Sequence, residues 1–475
     1  MERKDKISLK RGFKSRHVTM IALGSSIGTG LFLASGQMIS QSGPGGALLS
    51  YMLMGTLIYF LMHGLGEIAT YRPVTGSIMT FTKEYVDSAL GFSVGWIYYY
   101  NCISSIAMDV ITAGIFMGFW FPNIPIYVFT TLFFAVILAV NLLSSKSFGE
   151  LEFWIVSIKV ITIIIFLIVG IMIILGLTGH EPLGFKNFFY DGGPFIGNVN
   201  SLFSVLILAA LSFSGIELIG ITAGEVKNPS KSMPKAINTI LLRILIFYIG
   251  TIFIIGAIVP YTSPYLLSSE MNLAITPFAL VFQYTHIPAV DSIMNFIILT
   301  AIISACNTEF YASTRILYSL GKEKFAPKKF TLANKRGMPY ISILITMFTL
   351  IISFIVATVG YEAYLILING IGVSTLIIWL CLGLSHYRFR RGYKKQGLDL
   401  NKLKFKAKLF PIGPIIVIFG TTSMLIYNLF SGILTNPTTT LYLFVPLILF
   451  VVLFSYHKIN HKTKLIPLDQ IKFLK

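Results

Sequence analysis

The chain has 475 residues, 55% hydrophobic and only 12% charged, with a mean hydropathy of +0.79. Soluble domains carry about 25% charged residues, so this composition excludes an ordinary water-soluble domain. The net charge of +18 would suit a nucleic-acid binder, but its placement argues for a membrane surface instead.

Twelve apolar runs reach the ~20 residues needed to cross a ~30 Å hydrocarbon core. They cover 17–39, 44–63, 93–121, 125–143, 152–176, 200–222, 236–260, 288–312, 340–358, 361–386, 411–430 and 440–457. None shows the alternation of barrel strands, and lipid admits only helices or closed barrels. The expected fold is an all-α integral membrane protein with twelve transmembrane helices. The basic start is followed by a span too long for a cleavable signal peptide.

Seven basic residues, Arg3 to Arg16, precede the first run. Others follow the even runs: Arg72 and Lys83, Lys146, Lys227, Lys231 and Lys235, Lys322 to Arg336, and Arg388 to Lys408. After the odd runs only Lys186 appears. Span count and charge agree on both termini being cytoplasmic. A lipid bilayer is therefore the expected partner of the basic face, and nucleic acid is not. Cys102, Cys306 and Cys381 lie in apolar runs without metal-ligand spacing and read as packing residues.

The first run holds an anomaly. Within "IALGSSIGTGLF", Gly24 to Gly30 contain three glycines, two serines and a threonine. Gly24-Ser25-Ser26-Ile27-Gly28 matches the G-x-S-x-G elbow, which needs a strand that a membrane span does not provide. Gly24 and Gly28 also form GxxxG, a helix-packing motif. The third reading is a break, because unwound backbone at membrane depth survives only where it lines a cavity. A break in span 1 predicts one in span 6 if the chain is an inverted repeat. Span 6 supplies Ser212, Phe213, Ser214, Gly215 and Glu217 mid-run. The expected organisation is a cytoplasmic segment 1–16, a five-helix repeat 17–176, a second at 200–386, a basic loop 387–410, appended helices at 411–457 and a cytoplasmic tail 458–475.

Each break frees N–H groups that favour a carboxylate and carbonyls that favour an ammonium. One gap thus holds both poles of an α-amino acid. Ser25, Ser26, Ile27, Gly28, Thr29, Gly30, Phe213, Ser214, Gly215 and Glu217 are the candidate substrate-binding residues. Asp109, mid-span 3, joins them, because an intramembrane acid is a functional candidate by default; a helix–helix hydrogen bond is its alternative. For Glu217 the alternative is capping of the second half-helix. Glu225 lies two turns beyond Glu217 and reads as a gating or salt-bridge residue, or as a plain interfacial charge. Glu67, Arg72, Glu150 and Glu152 sit at span ends and read as interfacial. Lys159 lies nine residues beyond Glu150, roughly 13 Å deep at 1.5 Å per residue. That is far for a snorkelling side chain. The sharper reading sets its ammonium beside carbonyls freed at the first break, where taking up and releasing a proton would couple transport to a proton gradient.

The stretches "RHVTMIALGSSIGTGLFLASG", "SGPGGALLSYML", "GFSVGWIYYYN", "LIGITAGEVKNPSKSMPKAI", "SPYLL", "YASTRILYSL" and "SHYRFRRGY" resemble the bacterial amino-acid permeases of the amino acid–polyamine–organocation superfamily. Its lysine-transporting branch is the nearest match. The resemblance covers about residues 10–470. It implies the five-plus-five inverted repeat with broken helices 1 and 6, and proton-coupled uptake by alternating access across a bacterial inner membrane. It places substrate at Ser26–Gly30 and Phe213–Glu217. It also implies a lysine at the Lys159 position, where sodium-coupled relatives of the fold hold a sodium ion. Two positions depart from the family pattern. Asn307-Thr308-Glu309 stands where Asn-Ser-Gly is usual, which makes Glu309 a candidate specificity residue. Asn272 stands before Pro277 where an acid is usual.

The expected function is import of an amino acid, lysine or another cationic one, with protons. Alternatives are another substrate (an aromatic amino acid, histidine or γ-aminobutyrate) or a non-transporting sensor or channel. Neither a nucleotide-binding loop nor H-E-x-x-H appears, so no enzyme activity, metal or cofactor is expected. Oligomeric state and any regulatory partner stay open.

Overall fold

The computed structural model describes residue 9 and residues 11–474, apart from 25, 26, 29, 144, 180, 267–275, 286, 288, 335, 360 and 436. Ser25, Ser26, Thr29 and Asn272 therefore lie outside the described residues. Elsewhere the apolar runs do what lipid requires: helices satisfy their own backbone. Among the described residues nine helices are long and apolar enough to cross a membrane, and the shorter apolar helices Ile126–Asn141 and Tyr340–Val356 fill two more of the expected runs. The sole pairing of strand type among the described residues is an isolated parallel bridge between Phe13 and Val226.

The first run is interrupted. Helix Ser15–Gly24 stops, and π-helical Gly30–Ala34 leads into Ser35–Tyr71. That last helix bends at Gly43, which has φ 74° and precedes Pro44. A Cβ at Gly43 would lie 2.5 Å from the Pro194 carbonyl oxygen, so only glycine fits the bend. Span 6 is interrupted as well. Helix Val199–Phe213 ends at Ser214, Gly215 takes φ 89°, and a 3-10 turn resumes at Ile216–Leu218.

The Ser145–Ile174 helix has two faces. Ile158, Ile161, Ile164, Ile165, Ile168 and Ile171 are exposed, while Val156, Lys159, Ile163 and Phe166 are buried. An apolar face that exposed suits hydrocarbon. Basic segments distant in sequence meet at one end of the bundle. Arg16 pairs with Glu150 at 2.5 Å, Lys83 with Glu323 at 2.6 Å, and Lys458 with Asp87. Arg388 donates to the Tyr85 carbonyl at 2.8 Å, and Gln396 donates to the Leu468 and Ile471 carbonyls at 3.0 and 2.8 Å.

Two acids read as interfacial are not. Glu67 and Glu152 are both fully buried. Glu67 accepts from Arg390 Nε at 2.5 Å and the Ala407 N–H at 2.7 Å, with His386 at 3.3 Å. Glu152 accepts from Ser304 Oγ at 2.7 Å and Asn307 Nδ2 at 2.6 Å. A span end in sequence is not a span end in space when another helix or loop covers it. Arg72 and Glu150 behave as read: each is partly exposed and paired, Arg72 with Glu84 at 2.9 Å.

Candidate functional site

The two interruptions touch. A Cβ at Gly30 would fall 2.6 Å from Ser212 Cα and 2.9 Å from the Leu211 carbonyl oxygen. A residue larger than glycine would push the restart of span 1 off the end of the first half of span 6. Gly24, at the other edge of the first break, is closer still to the Ser145–Ile174 helix: its Cβ would lie 2.0 Å from Val156 Cγ2. Gly28 differs, because its Cβ would meet only Ala305 Cβ, at 3.1 Å.

Between the breaks lies a cavity of about 40 Å³ lined by Gly28, Gly30, Ser105, Met108, Asp109, Leu211, Ser212, Ser214, Ala305, Glu309 and Ile371. That is room for about one or two waters at ~30 Å³ each, and not for an amino acid. Two helices bring the acids in by the same device. Ser105 and Asp109 are one turn apart on the Ser88–Met117 helix, and Ala305 and Glu309 one turn apart on Val290–Lys322. In each pair the small residue leaves space beside the acid. Among the described residues two carboxylates and no basic side chain line the cavity.

Lys159 is fully buried and reaches the first break from outside the cavity. Its Nζ donates to the Gly24 carbonyl at 3.2 Å and the Ile27 carbonyl at 3.0 Å. The helix stops here, so its last carbonyls lack the usual i+4 donor; the Gly24 carbonyl accepts from the Ile27 N–H at 3.3 Å as well as from Lys159. Glu152 and Asp109 are the acids that act on its charge.

Not every candidate reaches the cavity. Phe213 is fully buried and stacks on Tyr248 at 4.1 Å, beside Tyr51 at 5.9 Å. Ile27, Gly215 and Glu217 are also outside the lining. Glu217 is buried and accepts from Trp379 Nε1 at 3.1 Å through Oε2, while its Oε1 has no hydrogen-bond partner among the described residues. Glu309 feels its charge. Ser214 does line the cavity and bonds Thr375 across to the Tyr361–Lys395 helix at 3.1 Å.

Glu225 is no plain interfacial charge. It is fully buried, accepts from Arg315 Nε at 2.9 Å, Tyr311 hydroxyl at 2.7 Å and Ser145 Oγ at 2.5 Å. The Arg315 guanidinium also sits 3.9 Å from the Tyr311 ring centre. The Phe13 N–H donates to the Glu225 carbonyl at 3.2 Å. This cluster ties the span 6 continuation to the N-terminal segment and to two other helices. Sequence reasoning missed Arg315, ninety residues away. It also missed Ser105 of the hydroxyl lining, and it marked Ser212 only as part of the span 6 break. Single hydroxyls inside an apolar run are too common to mark a site.

Comparison with known proteins shows the family. A family model described as amino acid permease matches residues 17–468. The chain is 42% identical over 472 residues to the lysine-specific permease LysP of Lactococcus lactis subsp. cremoris (strain MG1363), covering 98% of this chain and 92% of that one. It is 42% identical over 468 residues to the histidine permease HisP of the same strain, covering 98% of each. It is 41% identical over 473 residues to the lysine-specific permease LysP of Escherichia coli (strain K12), covering 98% and 96%. Overall identity does not separate lysine from histidine.

Proposed function

Because the chain belongs to the amino acid permease family, we propose that it imports a cationic amino acid together with protons, by alternating access. In this reading the chain spans a bacterial inner membrane twelve times with both termini cytoplasmic, as two inverted five-helix repeats and two appended helices. The broken spans 1 and 6 supply the site. Free N–H groups at the Gly30 restart, with Ser25, Ser26 and Thr29 before it, take the substrate carboxylate. Carbonyls at the breaks and the Asp109 side chain take the α-ammonium. Phe213, Gly215 and Glu217 come into play as the closed cavity opens.

The observation that carries the proposal is the Lys159 ammonium on the Gly24 and Ile27 carbonyls. A lysine there holds the first half of span 1 while protonated and frees it on losing its proton. The proton thus does what a bound metal cation would do, and no sodium is needed. The cluster around Glu225 and Arg315 closes the cytoplasmic end while substrate is exchanged outside.

Competition against radiolabelled lysine uptake in proteoliposomes tests the substrate class. Lysine is expected to compete best, ahead of histidine, aromatic amino acids and γ-aminobutyrate. Competition by histidine stronger than by lysine would move the assignment to the second relative's substrate. Absence of uptake of any amino acid by correctly inserted protein would overturn the proposal.

A further inference from the structure

Glu309 has no evident structural duty. It is 6% exposed, lines the cavity between the breaks, and its Oε2 has no hydrogen-bond partner among the described residues. A buried carboxylate oxygen left unsatisfied is costly, and its neighbours do not relieve it. Cys102 offers a weak thiol contact, while Glu217 and Asp109 add like charge. Among the described residues nothing basic lines the same cavity.

Its placement is specific. Ala305, one turn before it, is the residue that a Cβ at Gly28 of the first break would meet, at 3.1 Å. Glu309 is therefore a helical turn, about 5–6 Å, from the point where the helix meets the unwound backbone. A substrate whose α-groups sit at the break would project its side chain along that turn.

We infer that Glu309 is the counter-ion for the side-chain cation of the substrate, and that it selects amino acids with a terminal ammonium or guanidinium over neutral ones of equal length. The inference rests on the proposed amino-acid transport at this site and deepens it. The α-groups belong to the break and Asp109; the side-chain charge belongs to Glu309. The cation of the bound ligand then donates to Oε2. Losing the carboxylate there removes a charge-assisted hydrogen bond to the substrate. It leaves the α-groups' contacts in place.

Lysine and norleucine separate the two parts, since norleucine has the same aliphatic chain without the ammonium. Full-length parent protein and Glu309→Gln are reconstituted in proteoliposomes, and each compound's inhibition constant is measured. In the parent, lysine is expected to outcompete norleucine at least tenfold. In Glu309→Gln the lysine constant is expected to rise on the order of 10- to 100-fold, with norleucine unchanged or improved, which also shows that the variant is folded. Equal losses for both compounds would make Glu309 structural or a proton site and overturn the inference. So would a parent that prefers norleucine, an outcome that needs no variant and leaves amino-acid transport intact. Uptake of neither compound by the parent, nor of any other amino acid, would instead strike the transport reading itself.

Discussion

Three glycines in one break carry two different loads. Gly24 and Gly30 are contact glycines: a Cβ at either collides with Val156 or Ser212. Gly28 faces the cavity and nearly tolerates a Cβ. Gly28→Leu is therefore expected to insert and fold but to lose binding, because the added side chain fills the space the substrate must enter. Gly24→Leu is expected to lose about 1–3 kcal/mol or more by overpacking. A thermal midpoint for each variant, beside a binding measurement, separates the two; binding retained by Gly28→Leu would contradict the assignment. Glu217 gives a second test at this scale. Glu217→Gln is expected to weaken substrate binding by about 1.5–3 kcal/mol, roughly tenfold to a hundredfold. Unchanged binding would leave Glu217 as the partner of Trp379 and a support for the half-helix. Lys159 was marked by its depth and by the resemblance, and Asp109 by being an acid inside an apolar run. Glu67, Glu152 and Arg315 were not legible, because burial at a span end is decided by what covers it. Their partners, Arg390, Asn307 and Glu225, are remote in sequence.

The broken spans were legible as elements because breakers are costly in lipid and cluster only for a reason. The bend at Gly43 was readable only as a gap between two apolar runs, since a positive φ leaves no periodic signal. The Glu225 cluster belongs at the same scale, for it joins the continuation of span 6 to the Val290–Lys322 helix. Removing one member of a buried ion pair leaves the other uncompensated and costs about 3–5 kcal/mol. Arg315→Ala is expected to lose that much, read as a lowered thermal midpoint in detergent. Arg315→Lys is expected to recover part of it, since an ammonium keeps the charge but not the guanidinium's several directed donors. A midpoint unmoved by Arg315→Ala would show that the cluster does not hold these elements together. If the cluster also closes the cytoplasmic end, Arg315→Ala protein is expected to leak preloaded substrate faster than the parent.

At the scale of the whole molecule, the account makes transport a motion of span 1 licensed by a proton. The sequence conveyed the helical membrane class, through hydropathy and run length, because lipid imposes one solution. It did not convey the state of the cavity, which depends on how four helices meet. The central claim is that Lys159 couples that motion to a proton gradient. Proteoliposomes holding parent or Lys159→Gln protein are given an inward proton gradient, with and without sodium, and lysine accumulation is followed beside binding. The account predicts accumulation by the parent that ignores sodium, and a Lys159→Gln protein that binds lysine without accumulating it. Sodium-dependent uptake by the parent, or full proton-driven accumulation by Lys159→Gln, would contradict it.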